Sequence, residues 1–173
     1  RRSLPRDALV SLVVALVLTR LDYGNATLAG LPGHLLDCLQ SILNAAARLI
    51  NGARKYDHVT PLIHNLHWLR IPQRISYQLS LLAFRCLNGL APSYLARSIH
   101  RVADQDCRRR LRSASTAALI VPAARCSTLG DRAFPVAASR IWNSLSPSVT
   151  ASSTLDGFKR SLKTELFRRS YPE

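Results

Sequence analysis

Apolar side chains recur every three to four positions through most of this chain, the spacing that places them on one face of an α-helix. Leu155, Phe158 and Leu162 near the end of the chain are the clearest example. Together with start and stop signals, the pattern predicts a mainly α-helical protein. The predicted helices cover residues 7–21, 34–50, 72–88, 131–145 and 153–168.

Several helix ends carry residues with known end preferences. Gly52 and Gly89 follow apolar helical patterns and predict left-handed stops. Thr60 followed by Pro61 predicts an N-cap and the first position of a short helix. Residues 153–156, Ser-Thr-Leu-Asp, are typical of a capping box that opens the last helix.

The pattern changes near the middle of the chain, where polar and basic residues replace the helical spacing. Two short β-capable segments predict a β-hairpin near residues 117–129. The expected architecture is therefore a helical bundle, a short β-hairpin and two C-terminal helices. The sequence divides into a helical region at 1–101, a basic linker at 102–129 and a C-terminal helical segment at 130–173.

An apolar segment at residues 8–18 follows three arginines and imitates a secretory signal peptide. It is too short to span a membrane. We interpret it as part of a central, buried helix, and we expect an intracellular protein of the nucleus or cytoplasm that is neither secreted nor bound to a membrane. The cysteines are too sparse for a disulfide framework, so we expect reduced and mostly buried thiols. They are Cys38, Cys86, Cys107 and Cys126.

The charge of the chain is strongly positive. Lys and Arg together number 24 against 10 acidic residues, a net charge of +14, and only Lys55, Lys159 and Lys163 are lysines, which leaves 24 − 3 = 21 arginines. Arginine binds phosphate with two parallel hydrogen bonds and stacks on bases, so the surplus favours an RNA or DNA partner. The alternative explanation is a GC-rich gene, which enriches Arg and Ala without any function.

Known catalytic motifs are missing from the sequence. It contains no phosphate-binding Gly-x-x-x-x-Gly-Lys motif and no Gly-x-Ser-x-Gly elbow. Polymerases that use two metal ions need clustered carboxylates, and no two aspartates are adjacent here. His64 and His67 are too few for a zinc site. We therefore expect no enzymatic activity, no cofactor, no metal and no small-molecule substrate.

The strongest local chemical signal is the segment 108–112, which holds four arginines in five residues and can neutralise about that many phosphates. The alternative is a solvated loop or a nuclear-localisation-like patch. We interpret Trp68 and Trp142 as core residues rather than stacking platforms. The candidate nucleic-acid-binding residues are Arg108, Arg109, Arg110, Arg112, Lys159, Arg160 and Lys163.

Several motifs occur in an order and spacing that covers nearly the whole chain. They are Leu21-Asp22-Tyr23-Gly24-Asn25, His58-Val59-Thr60-Pro61, Gly130-Asp131-Arg132-Ala133-Phe134 and Trp142-Asn143-Ser144-Leu145. Together they resemble the C-terminal end of the reverse-transcriptase polyprotein of LINE-type (non-LTR) retrotransposons of animals. A cysteine is usual in that family where Gly24 stands here.

The resemblance implies the thumb and post-thumb segment of an RNA-directed DNA polymerase whose parent polyprotein also carries an endonuclease. The thumb of such enzymes grips the template–primer duplex, and no catalytic residue of the family has a matching position here. The implied function is non-catalytic, sequence-independent binding of RNA or an RNA–DNA duplex. Two alternatives stay open: a retroelement remnant without selected activity, and a small helical protein-interaction domain.

Overall fold

The computed structural model describes residues 4–104, 117–124, 126 and 130–172, with the backbone alone at positions 25 and 26. This part of the chain is mainly α-helical, as predicted. The five predicted helices are present, with ends that differ from the prediction by no more than about one turn. The helices are α1 (Arg6–Val13), α2 (Thr19–Asp22), α3 (Gly33–Asn51), α4 (Thr60–Asn65), α5 (Ile71–Leu87), α6 (Ser93–Ala96), α7 (Phe134–Asn143), α8 (Pro147–Thr150) and α9 (Leu155–Ser170).

The predicted glycine stops are confirmed at the ends of α3 and α5. Gly52 has φ +65°, and the next residue donates its backbone N–H to the carbonyl of Arg48 at 3.0 Å. Gly89 has φ +69°, and the following N–H reaches the carbonyl of Arg85 at 2.8 Å. In both cases a residue without a Cβ takes the left-handed conformation that closes the last helical turn.

The described residues do not support the predicted β-hairpin near residues 117–129. Residues 117–124 form no strand, and Leu119 makes a single antiparallel bridge with Arg101. Positions 125 and 127–129, which belong to the predicted second strand, lie outside the described residues.

Side chains of α7 bond to the backbone of the segment around Leu119. Asn143 accepts a hydrogen bond from the Leu119 N–H at 2.8 Å and donates its amide to the Leu119 carbonyl at 2.9 Å. The Trp142 indole N–H donates to the carbonyl of Ala117 at 2.8 Å. These bonds satisfy the Leu119 N–H and carbonyl and the Ala117 carbonyl, while the Ala118 carbonyl and the Ile120 N–H bond to the backbone of Val102 and His100.

The first helical segment is not central, contrary to the prediction. It comprises α1, a π-helical segment (Val14–Leu18) and α2. Val13 is buried, whereas Leu12 is 44% and Leu16 68% exposed. Apolar residues lie all around this segment. Among the described elements, α3 packs against α1 and the π-helical segment, and the side that carries Leu12 and Leu16 is exposed. No helix in the described parts of the chain is long and apolar enough to cross a membrane.

Helix α5 forms the centre of the core and packs against α3, α7 and α9. The ring of Phe84 on α5 stacks on Phe158 of α9 with 4.4 Å between centroids, and Trp142 of α7 stacks on the same ring at 5.7 Å. Phe158 is fully buried. Residues before 101 and after 130 therefore share one hydrophobic core. The division of the chain into regions at 1–101, 102–129 and 130–173 stays a prediction from the sequence.

The cysteines differ in their surroundings. Cys86 is buried on α5, and burial raises the pKa of its thiol. Cys38 and Cys126 are exposed, so the prediction of mostly buried cysteines is wrong for these two. Cys38 lies on an exposed face of α3. Cys107 lies outside the described residues.

Candidate nucleic-acid interface

The predicted binding residues of the last helix lie together on the surface of α9, because the opposite face of that helix is committed to the core. Phe158, Leu162 and Leu166 recur every four residues and are at most 1% exposed. This spacing turns Arg160 and Lys163 towards solvent. The other predicted residues, Arg108, Arg109, Arg110 and Arg112, lie outside the described residues.

The cations on this surface differ in whether they form an ion pair. Arg160, Lys163 and Arg168 are exposed, and none of the three forms an ion pair within the described part of the chain. The predicted residue Lys159 differs, because its ammonium lies 3.3 Å from the carboxylate of Asp156. Sequence reasoning omitted Arg168 from the site, although its position eight residues after Arg160 places both on one side of a helix.

A groove of about 450 Å³ runs beside these cations. Its other wall is the turn between α4 and α5, which contributes His67. The lining residues are His67, Arg160, Lys163, Thr164, Phe167 and Arg168. A smaller groove of about 200 Å³ adjoins it and shares His67 and Lys163. The two grooves therefore form one cationic depression between α9 and the start of α5.

The Asp22 carboxylate in the smaller groove already forms an ion pair. Asp22, at the end of α2, accepts two hydrogen bonds from the Arg74 guanidinium, from Nε at 3.0 Å and from Nη2 at 2.6 Å. Both side chains are partly buried. This two-pronged ion pair joins α2 to α5, so Asp22 acts as a structural residue and adds no uncompensated negative charge to the groove.

His67 has an unusual backbone conformation, with φ +51°, the only positive φ among described residues other than glycine. It follows the last turn of α4 in a Schellman motif. The His67 N–H donates to the His64 carbonyl at 2.9 Å, and the Trp68 N–H donates to the Ile63 carbonyl at 3.1 Å. Glycine is the usual residue at this position, because a Cβ disfavours the left-handed conformation.

Aromatic rings connect this turn to the end of α9. The centroid of His64 lies 5.0 Å from that of Phe167 and 5.2 Å from that of Tyr171. The Tyr171 hydroxyl donates to the Trp68 carbonyl at 3.0 Å, and the Arg70 guanidinium lies over the tyrosine ring at 5.3 Å. Burial raises the pKa of Tyr171, and the nearby charge of Arg70 partly offsets this effect.

The tryptophans and histidines that the sequence analysis considered lie in the core or against other aromatic rings. Trp68 and Trp142 are at most 9% exposed, which confirms their interpretation as core residues. His64 and His67 are exposed, and both rings lie against Phe167. The described part of the chain contains no group of three or more His, Cys, Asp or Glu residues that could hold a metal ion.

The groove residues His67 and Phe167 were not predicted as part of a site. Their ring centroids lie 5.8 Å apart, although the two residues are 100 positions apart in the sequence. No family model, curated protein or solved structure matches this chain. The chemistry of the groove is therefore the basis on which a function can be assigned.

Proposed function

We propose that this chain is a non-catalytic C-terminal segment of a retrotransposon reverse transcriptase that binds RNA or an RNA–DNA duplex through its phosphates. The observation that carries the proposal is the set of exposed cations on α9, Arg160, Lys163 and Arg168, which form no ion pair in the described part of the chain. The net charge of +14 favours the same class of partner.

The spacing of the three cations suits a phosphate backbone. Arg160 and Arg168 are eight residues apart, which corresponds to about 12 Å along a helix that rises 1.5 Å per residue. A stacked strand places one phosphate roughly every 3.4 Å along its axis, so this face spans roughly three nucleotides. Contacts of this kind position a nucleic acid without reading its bases, which is consistent with sequence-independent binding.

A salt titration of binding tests the proposal. In one variant, Arg160, Lys163 and Arg168 are replaced by Gln. The matched control carries Gln at three exposed arginines elsewhere, Arg20, Arg54 and Arg97. Each lost phosphate contact lowers the slope of log affinity against log salt by about 0.7 to 0.9, so the α9 variant should lose roughly two units of slope or more.

The control variant has the same net charge as the α9 variant. We expect it to keep a slope close to that of the wild type, because its arginines lie apart from the groove. Equal losses of affinity in the two variants would show that binding is spread over a merely basic surface. That result would favour the retroelement remnant without selected activity.

A protein-interaction domain is the second candidate function. On α3, Leu35, Ile42 and Leu49 are each more than 40% exposed and follow one another at seven-residue spacing. This spacing is typical of helices that pair along an apolar seam. Analytical ultracentrifugation tests its simplest form, in which the partner is a second copy of the chain. A monomer at every concentration argues against self-pairing.

A further inference from the structure

We infer that the groove between α9 and the α4–α5 turn holds a single strand of nucleic acid, with one base against the rings of His67 and Phe167 while Arg160, Lys163 and Arg168 bind its phosphates. The inference rests on the proposed function and names the class of nucleic acid that the groove binds. Three independent observations support it: the backbone of His67, the rings in the groove and the distribution of charge.

The backbone of His67 is the first observation. A residue with a Cβ is strained at φ +51°, and a glycine would close the Schellman motif at lower cost. The turn itself does not require an imidazole, since its hydrogen bonds come from backbone atoms of residues 63–68. The ring is exposed and lines both adjoining grooves. The structure therefore tolerates backbone strain at the position that brings this ring to the groove.

The second observation is the pair of rings. The centroids of His67 and Phe167 are 5.8 Å apart, with the ring planes inclined at 45°. Both residues line the groove of about 450 Å³. Contacts with His64 and Tyr171 brace Phe167 from outside the groove, so its ring is held in place before any ligand arrives. Unpaired bases stack on rings presented in this way, regardless of their sequence.

The third observation is the arrangement of charge around the rings. Arg160, Lys163 and Arg168 line the same groove as the two rings. Cations that follow a backbone beside aromatic rings are the combination that single-strand binding proteins use. A duplex keeps its bases inside the stack and offers only phosphates to such a surface. The rings therefore give the groove a preference for unpaired strands.

The variant His67→Gly tests the inference without disturbing the turn, because glycine favours the left-handed conformation. We expect its midpoint of thermal unfolding to equal or exceed that of the wild type. The control is His58→Ala, which removes another exposed imidazole that lines neither groove. Affinities for an oligouridine RNA and for a fully paired RNA duplex are measured by fluorescence anisotropy over a range of salt concentrations.

The expected result is a loss of roughly tenfold in the affinity of His67→Gly for oligouridine, the order of magnitude of one base–aromatic stack. The affinity for the duplex and the salt slope should not change, because no phosphate contact is removed. His58→Ala should behave like the wild type. Phe167→Leu, which keeps an apolar residue at the site, should weaken oligouridine binding in the same direction.

Two outcomes overturn the inference while leaving the proposed function in place. In the first, His67→Gly binds oligouridine as tightly as the wild type although the α9 charge variant is weakened. In the second, His67→Gly loses the same affinity for oligouridine and duplex. A wild-type protein that binds neither nucleic acid overturns the proposed function and this inference together.

Discussion

Tyr171 shows how one side chain joins distant parts of this protein. Its hydroxyl donates to the carbonyl of Trp68, which is 103 positions earlier in the chain. Its ring contacts His64 on α4 and Phe167 on α9, with centroids 5.2 and 4.9 Å away. The residue therefore fixes the end of α9 against the turn that carries His67.

Because burial raises the pKa of Tyr171, folding stability should depend on this residue at high pH. The neutral phenol is favoured in the folded state, so its contribution is complete below the ordinary tyrosine pKa of 10 and is lost as the pH rises through the higher folded value. We expect Tyr171→Phe to cost about 1 kcal/mol at neutral pH, the usual value of a hydrogen bond, and to reduce the fall in stability above pH 10.

Urea denaturation between pH 7 and pH 11, with the range set by the ordinary tyrosine pKa of about 10, measures both effects. Tyr56→Phe is the control, since Tyr56 is 90% exposed. Tyr77, whose pKa burial also raises, remains in both variants and accounts for part of the fall. If Tyr171→Phe lost stability above pH 10 as steeply as the wild type, the phenol would not contribute to this pH dependence.

Among the helices, α9 begins at an N-cap whose side-chain hydroxyl bonds to the first turn. Thr154 is the N-cap, and its Oγ1 accepts a hydrogen bond from the Gly157 N–H at 3.2 Å. The sequence predicted a capping box over residues 153–156, but the N-cap is Thr154, one residue later, and the third helical position holds glycine rather than Glu or Gln, so the reciprocal bond does not form. A Cβ at Gly157 would lie 2.9 Å from the Thr154 hydroxyl. Glycine at position 157 therefore leaves room for the Thr154 hydroxyl beside the first turn.

Replacing Thr154 by Ala should lower the free energy of unfolding by about 1 kcal/mol, because the N–H of the first turn loses its acceptor. The control is Ser153→Ala, one residue earlier on the exposed side of the same turn, which should change stability little. Urea denaturation with circular dichroism compares the three proteins. Equal effects of the two substitutions would mean that the hydroxyl bond adds nothing to the stability of α9.

In the whole molecule, one hydrophobic core joins residues before 101 to residues after 130. Phe84 on α5 stacks on Phe158 of α9, and α7 packs along the same helix. The segment 1–101 therefore buries part of its apolar surface against α7 and α9. Leu79 and Ala83, both 0% exposed, also lie on α5 within the same core cluster.

We expect the isolated segment 1–101 to lack a cooperative unfolding transition, because removing α7 and α9 exposes a face of α5 that the intact chain buries. Circular dichroism during urea denaturation compares this segment with the intact chain, which should unfold in one step. A cooperative transition of the segment, with the helix content expected for α1 to α6, would instead support the predicted boundary at residue 101.

The sequence by itself determined the local features of the protein. Helical spacing predicted α3, α5 and α9, and glycine predicted the ends of α3 and α5, because these signals act between residues within one or two turns of each other. The same spacing placed Arg160 and Lys163 opposite the buried face of α9. The candidate site was predictable to that extent.

The tertiary structure alone decided the features that depend on distant partners. The segment around Leu119 has a strand-like sequence, but Asn143, 24 positions later, bonds to the Leu119 backbone, and the described residues form no hairpin. The apolar residues of the first helical segment predicted burial, yet Leu16 stays on the surface because none of the described elements packs over it. His67 and Phe167 meet in the groove through the packing of α4 against α9. Contacts across such separations depend on which surfaces the folded chain brings together, and no local pattern encodes them.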